Sequence, residues 1–330
     1  MKLLFAVVLA ALYGLVIRLL FGFANGLLEV MSLTFLFLVP AGIGFLTVGL
    51  LPKTATTSRT AAFFKPWLTS LVLLLITVVL KVEGTICWLM IFPIFATFAG
   101  IGGLLAFRLR HKKAGNANDW QPPTTLNASL FFAVPLLLGF VEGEKALVPK
   151  QLLISREVVV GAPAPAVWRA LTSHKVVAPP ASPRSLAAVL GFPRHLTTTL
   201  DTLVVGGRRV ATYEKGLYFE ETVTSYQLGR QLVLQAKANP GATPPAVMDE
   251  HILIGGKHLD ILEDVYQLTP LADGQTRLRL SSRFSINTPF NWYAEIWAHY
   301  LMSDILDGEL AGLQHRTVAK PALPLSTTWR

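Results

Sequence analysis

Five apolar runs crowd the first 145 residues, and they constrain the chain more than any other feature. They extend over Leu3 to Ala24, Leu27 to Leu51, Pro66 to Val82, Thr85 to Phe107 and Leu126 to Val141. A helix that crosses a bilayer needs roughly 20 apolar residues, within a range of about 17 to 25. By that measure the second and fourth runs are ample and the third is short. The fifth, some 24 Å long at about 1.5 Å per residue, falls below the roughly 30 Å hydrocarbon core and contains Pro135. It either spans a locally thinned bilayer or lies in the interface. The first run follows Lys2 and is broken only by Arg18. A secretory signal has an apolar region of about 7 to 15 residues and a small-residue cleavage site, so a retained transmembrane helix is expected here. The first half therefore reads as a multi-pass membrane module of about five helices over residues 1–145.

Orientation follows the basic residues, which collect in cytoplasmic loops. Residues 52–65 hold Lys53, Arg59 and Lys65, and residues 108–113 read Arg-Leu-Arg-His-Lys-Lys. Both segments are expected in the cytoplasm, with the N-terminus, while Asn25-Gly26 and Lys81-Val82-Glu83-Gly84 turn on the far side. A fifth crossing then places the C-terminal half outside, at what reads as a bacterial inner membrane. Arg18 and Glu29 flank the first outer connection, and Arg18 is expected to reach the interface and pair with Glu29. The apolar runs hold no further Asp, Glu or His in their interiors, so nothing resembles a transport path. Of the formal net charge of +9, residues 1–150 supply +7 with 12 Lys/Arg against 5 Asp/Glu, and the remainder only +2. The basic residues lie between apolar runs rather than on a soluble surface, which argues against nucleic acid as a partner. A single cysteine, Cys87, allows neither an intrachain disulfide nor a cysteine-based metal site.

At Gln151 the pattern changes. Leu152, Ile154, Arg156, Val158 and Val160 alternate with Leu153, Ser155, Glu157 and Val159, the period of a strand. A short helix follows the prolines at 163 and 165, with Trp168 expected to be buried among Val160, Val167 and Leu171. A second short helix is expected over Pro183 to Leu190. From about 197 to 287, turn signals at Gly206-Gly207, Lys215-Gly216, Gly229, Asn239-Pro240-Gly241, Gly255-Gly256 and Asp273-Gly274 divide an antiparallel meander. Its clearest strand, 276 to 286, turns Leu278, Leu280, Phe284 and Ile286 to one face and Arg277, Arg279 and Arg283 to the other. A long helix runs from Asn291 to about Val318, capped by Thr288 or Asn291, with Trp292, Tyr293, Ile296, Trp297, Tyr300, Leu301, Ile305, Leu306, Leu310 and Leu313 as its apolar stripe. Residues 319–330 are expected to be a disordered tail.

This succession resembles the START/SRPBCC helix-grip superfamily over residues 151–318. The residues that carry the resemblance are Val158-Val159-Val160-Gly161-Ala162-Pro163 with Val167-Trp168, the Leu190-Gly191-Phe192-Pro193 segment, Asp264-Val265-Tyr266-Gln267-Leu268-Thr269-Pro270-Leu271 with Gly274 and Thr276-Arg277-Leu278, and Thr288-Pro289-Phe290-Asn291. Attached to several membrane helices, the domain looks like bacterial proteins of the polyketide cyclase-like type. The implied fold class is an α-helical membrane module followed by an α+β helix-grip domain, a curved antiparallel sheet around a long C-terminal helix. The implied ligand is a hydrophobic small molecule, lipid, sterol-like or polyketide-like, in a mostly apolar cavity.

Alternation over 217 to 227 puts Leu217, Phe219, Glu221, Val223 and Ser225 on the more apolar face, so Glu221 is expected inside and Glu220 in water. The Phe219-Glu220-Glu221 stretch also looks like an aromatic-x-acid pattern of related members, without the proline that often follows it. His258 and Tyr266 are the expected partners of Glu221, and Gly256-Lys257-His258-Leu259 resembles a stretch seen in relatives. Trp297 and Asp304 share a stripe of the last helix with Leu301 and Gly308 and complete the candidate ligand-binding set, Asp304 inside the cavity or at its edge. His251 reads as a loop-edge histidine. Glu263 has an ambiguous parity that a bulge would reverse. No metal site, cofactor motif or catalytic constellation is legible, and the oligomeric state is left open. Three functions remain: binding of a hydrophobic ligand exchanged with the bilayer lipids, a polyketide cyclase-like enzyme, or an envelope assembly or regulatory protein with no ligand.

Overall fold

The computed structural model describes residues 2–23, 28, 30–112, 125–143, 147–177, 192–238 and 253–319. The chain divides into two compact units, one built on Met1–Val148 and the other on Pro149–Asn287 with the helix from Trp292. The expected helix at 183–190, His251, Glu29 and the expected tail beyond 319 lie outside the described residues.

The first unit contains α1 (Lys2–Phe23), a π-helical turn at Thr34–Leu38 that runs into α2 (Val39–Leu50), α3 (Arg59–Val79), α4 (Thr85–Lys112) and α5 (Thr125–Glu142). Among the described residues three segments are long and apolar enough to cross a membrane: Leu3–Phe23, Arg59–Val79 and Ile86–Arg110. The second and third runs exchange the roles expected of them. Among its described residues the second is an apolar helix from Thr34 to Leu50, and the Glu142 carboxylate accepts the Leu33 and Thr34 N–H groups at 2.6 and 2.9 Å at its start. The third gains two turns before Pro66, because the Ser58 hydroxyl caps it by accepting the Ala61 N–H at 3.1 Å.

Small residues let the helices of this unit approach closely. A Cβ on Gly44 would overlap the Ala99 carbonyl, and one on Gly102 the Ala41 carbonyl, so α2 and α4 meet backbone to backbone. The Thr47 and Thr69 hydroxyls bond at 2.9 Å, and Trp88 Nε1 donates to Thr77 Oγ1 at 2.7 Å. Arg18 pairs with Glu83, and its expected pairing with Glu29 lies outside the described residues. Arg110 donates to the Val48 and Leu51 carbonyls at 2.5 Å, meeting the open carbonyls at the end of α2.

The second unit has an eight-stranded antiparallel sheet in the order β1-β8-β7-β6-β5-β4-β3-β2. Its strands are β1 (Pro149–Val160), β2 (Lys175–Val177), β3 (His195–Leu200), β4 (Arg208–Tyr213), β5 (Tyr218–Gln227), β6 (Gln231–Ala238), β7 (Leu259–Pro270) and β8 (Thr276–Asn287). α6 (Ala164–Leu171) follows β1, and α7 (Asn291–Ala319) closes the unit. Meander turns fall where left-handed backbone is needed: Gly206 and Gly274 have φ of 87° and 76°. Asn291 Oδ1 accepts the Thr288 N–H and hydroxyl at 3.0 and 2.9 Å at the start of α7.

One core joins sheet and helix. Leu152, Ile154, Leu232, Leu234, Leu278, Leu280 and Phe284 from the strands pack with Met302, Leu306, Leu310 and Leu313 of α7 and with Val167, Trp168 and Leu171 of α6. β8 alternates as its sequence requires, with Leu278, Leu280, Phe284 and Ile286 buried and Arg277, Arg279 and Arg283 exposed. The apolar stripe of α7 divides instead. Its C-terminal half is core, while Trp292, Ile296 and Tyr300 are exposed.

Candidate functional site

The inner face of the sheet is not uniformly apolar. Arg209 of β4 and Glu221 of β5 sit directly opposite in the antiparallel register, and the Arg209 Nη1 pairs with the Glu221 carboxylate. Both residues are only 6% exposed. On the opposite face, Arg208 pairs with Glu220 in water. Alternation over β5 therefore assigned the two glutamates to their correct faces, and the missing information was the identity of the partner.

β7 supplies the next layer. A register shift between Ile261 and Glu263 reverses the parity there, so that Ile261 packs against the core while Glu263 pairs outward with Arg283. Beyond the bulge Asp264 and Tyr266 turn inward. The Arg209 guanidinium lies 5.7 Å from the centre of the Tyr266 ring, within cation–π reach. Asp264 Oδ1 is closed off from water and has no hydrogen-bond partner among the described residues.

β3 and α7 complete the cluster. His195 Nε2 is 2.7 Å from Thr198 Oγ1, and its Nδ1 is 3.3 Å from Glu309 Oε2, within ion-pair reach but short of an aligned hydrogen bond. The ring packs against Tyr213 at 5.2 Å. Leu171, Thr198, Arg209, Tyr266, Glu309, Leu313 and Arg316 line one cavity of about 10 Å³, room for about one water molecule. Arg209 Nε and Arg316 Nε and Nη1 are buried without a hydrogen-bond partner among the described residues. This cavity is small and polar.

The electrostatics follow from burial and from these partners. Burial lifts the Glu221 carboxyl above its ordinary range against the pull of Arg209. Burial, with the neighbouring Glu221 charge, lifts Asp264 to about 7. Glu309 goes the other way, to about 2: burial would raise it, but His195, Arg209 and Arg316 together outweigh that cost. Burial disfavours the charge on Arg209, yet Glu221, Tyr266 and Glu309 hold it protonated. Burial raises both Tyr213 and Tyr266, keeping them neutral.

Of the five residues read from the sequence, the structure brings Glu221 and Tyr266 together around Arg209. His258 is buried elsewhere, with Nδ1 3.0 Å from the Asn287 carbonyl oxygen. Trp297 and Asp304 are half-buried and do not line the cavity. Arg209, His195, Glu309 and Arg316 were missed. Arg209 had a readable signal, since Ala211 and Tyr213 alternate with it and an acid stands opposite. Glu309 had one too, lying three residues after Leu306 and four before Leu313. His195 had none, because a bulge places it. No group of three His, Cys, Asp or Glu among the described residues is arranged to hold a metal ion.

An antiparallel sheet packed on a long C-terminal helix is the helix-grip class of fold, here in a chain that also carries a module of apolar helices. No family model and no curated protein matches the chain. Among solved structures it is similar to norcoclaurine synthase from Thalictrum flavum, at 13% identity and a TM-score of 0.33, over 55% of this chain and 92% of that one. It is also similar to the Zhui aromatase/cyclase of a Streptomyces species, at 12% identity and a TM-score of 0.32, over 51% of this chain and 94% of that one.

Proposed function

We propose that the C-terminal unit binds an amphiphilic ligand, lipid-like or polyketide-like, whose polar end occupies the cavity at Arg209 and Arg316, and that the apolar helices keep this unit at a membrane. The observation that carries the reading is that Arg209 and Arg316, which line one cavity, keep guanidinium N–H groups without a partner among the described residues. Each buried donor without an acceptor costs about 1–3 kcal/mol. A ligand oxygen seated there removes that cost, and the volume suits one oxygen-sized group.

The membrane assignment is a bacterial inner membrane with the C-terminal unit on the exoplasmic side. The basic loops support it. So does the first unit: Glu142, at the end of α5, meets the start of the second helical run, whereas Arg110 meets the end of that run at Leu51. This arrangement supports α5 as a crossing despite its length.

Native mass spectrometry of the full chain released from detergent tests the binding reading. A copurified amphiphile is expected, with occupancy falling at least about tenfold, some 1.4 kcal/mol, in Arg316→Met. A bare protein that stays bare after incubation with bacterial lipid extract overturns it, and favours an assembly or regulatory role. A second reading, a polyketide cyclase-like enzyme, draws support from Asp264. An acid that burial lifts to about 7 within the same polar cluster suits general acid–base chemistry.

A further inference from the structure

We infer that the first half of α7 docks on the lipid surface, with the face formed by Trp292, Ile296 and Tyr300 seated among the headgroups; this rests on the membrane part of the reading above. The three residues are spaced by four, so they stand one above another on a single helix face. They are 61%, 61% and 59% exposed, whereas Met302, Leu306, Leu310 and Leu313 of the same helix lie in the core. Together they present on the order of 450 Å² of mostly apolar side-chain surface, the size at which a patch marks a protein or membrane contact. Beyond Tyr300 the face turns polar, with Ser303 and then Asp307, which pairs with Arg156 at 2.7 Å.

Area, chemistry and charge favour lipid over a second copy of the chain. A stable protein interface takes about 800 Å² from each partner, which this patch does not supply. Trp and Tyr are the side chains that settle where headgroups meet acyl chains, because each has an apolar ring and a polar tip that stays wet. The neighbouring acid, Glu295, pairs with Lys150 at 2.5 Å, so it sets no uncompensated negative charge against an anionic bilayer.

The chain also limits how far this face can stand from lipid. Asn291, one residue before Trp292, donates its side-chain N–H to the Val148 carbonyl at 2.5 Å. Val148 is itself exposed and follows Glu142, the last residue of α5, by six residues, a reach of at most about 20 Å. Whether α5 crosses the bilayer or lies in its interface, its end is at the surface, and the start of α7 is tethered to it. An amphipathic helix face held there enters the boundary between headgroups and acyl chains by about 5–10 Å.

The test uses the full chain in vesicles of phosphatidylethanolamine and phosphatidylglycerol, with a fluorophore on Ile296→Cys and, as control, on Leu228→Cys. Cys87 is buried, and the unsubstituted chain serves as the labelling blank. Leu228 is also exposed but lies toward the other end of the sheet. Gln231, three residues on, stands in register with Gln267, Arg279 and Glu157, eight residues along β1 from the pairing of Pro149 with Asn287, or about 26 Å. Phosphatidylcholine brominated near the headgroup end of its acyl chains is expected to quench at least about half of the emission at residue 296 and little at residue 228. A fluorophore on His299→Cys, beside the same face, should be quenched as well. Adding Trp292→Ser and Ile296→Ser should drop that quenching to the level of residue 228 with the urea midpoint unchanged. Quenching at residue 296 no greater than at residue 228, in a chain that stays with the vesicles through a carbonate wash, overturns the docking and leaves the membrane reading standing. Emission at residue 296 that is equally shielded in detergent and in vesicles, without quenching, overturns it in favour of a protein segment on this face. Release of the chain by the wash overturns both.

Discussion

With Arg209 and Glu221 each only 6% exposed, removing either one strands the other charge in the interior. Breaking a buried pair typically costs about 3–5 kcal/mol, whereas replacing both members with apolar groups is often close to neutral. Glu221→Leu is therefore expected to lose about that much in a urea titration of the full chain, and Arg209→Met/Glu221→Leu much less. Equal losses in the single and double variants would show that the two residues are not coupled. For the same reason Glu221→Gln is expected to destabilise. Asp264 sets a pH dependence. It titrates near 7 in the fold against an ordinary 3.8, so between those values the folded state holds a proton that the unfolded chain releases. Stability then falls as pH rises across this window, by on the order of 1 kcal/mol per unit, and levels off on either side. Asp264→Asn removes that slope. Parallel melting curves for parent and variant from about pH 4 to 7 would contradict the assignment.

At the level of elements, α6 and α7 show two outcomes of the same apolar signal. α6 is a short helix, led by Pro163 and Pro165, that buries Val167, Trp168 and Leu171 on one face. Trp168 is 5% exposed within the main core, so Trp168→Ala should cost about 3–5 kcal/mol. Trp292, 61% exposed on α7, serves as the control: Trp292→Ala should stay within about 0.5 kcal/mol. Similar losses at both positions would mean that the burial of the two helices is misjudged. The bulges in β3 and β7 act at this scale too. Each adds one residue to a strand and so changes which side chains enter the interior, bringing His195 inward and sending Glu263 out.

For the whole molecule, the decisive question is the side of the membrane on which the C-terminal unit sits. An alkaline phosphatase fused after residue 319 is expected to be active and a fluorescent protein fused there dark; the reverse would place the unit in the cytoplasm and make α5 an interfacial helix. The two-part organisation, the antiparallel meander with its turns, the helix at its end and the inward direction of Glu221 were all legible in the sequence, because each follows from short-range periodicity, turn chemistry and charge distribution. Tertiary structure alone decided the rest. The start of the second apolar helix is met by the Glu142 carboxylate, 108 residues away from Thr34, and the third is capped by Ser58. The polar cluster joins β3, β4, β5, β7 and α7, whose side chains meet only once the strand register and two bulges are fixed. Periodicity reports which face a residue occupies in its own element, whereas a site depends on which faces of distant elements come to lie opposite one another, and that is determined by packing.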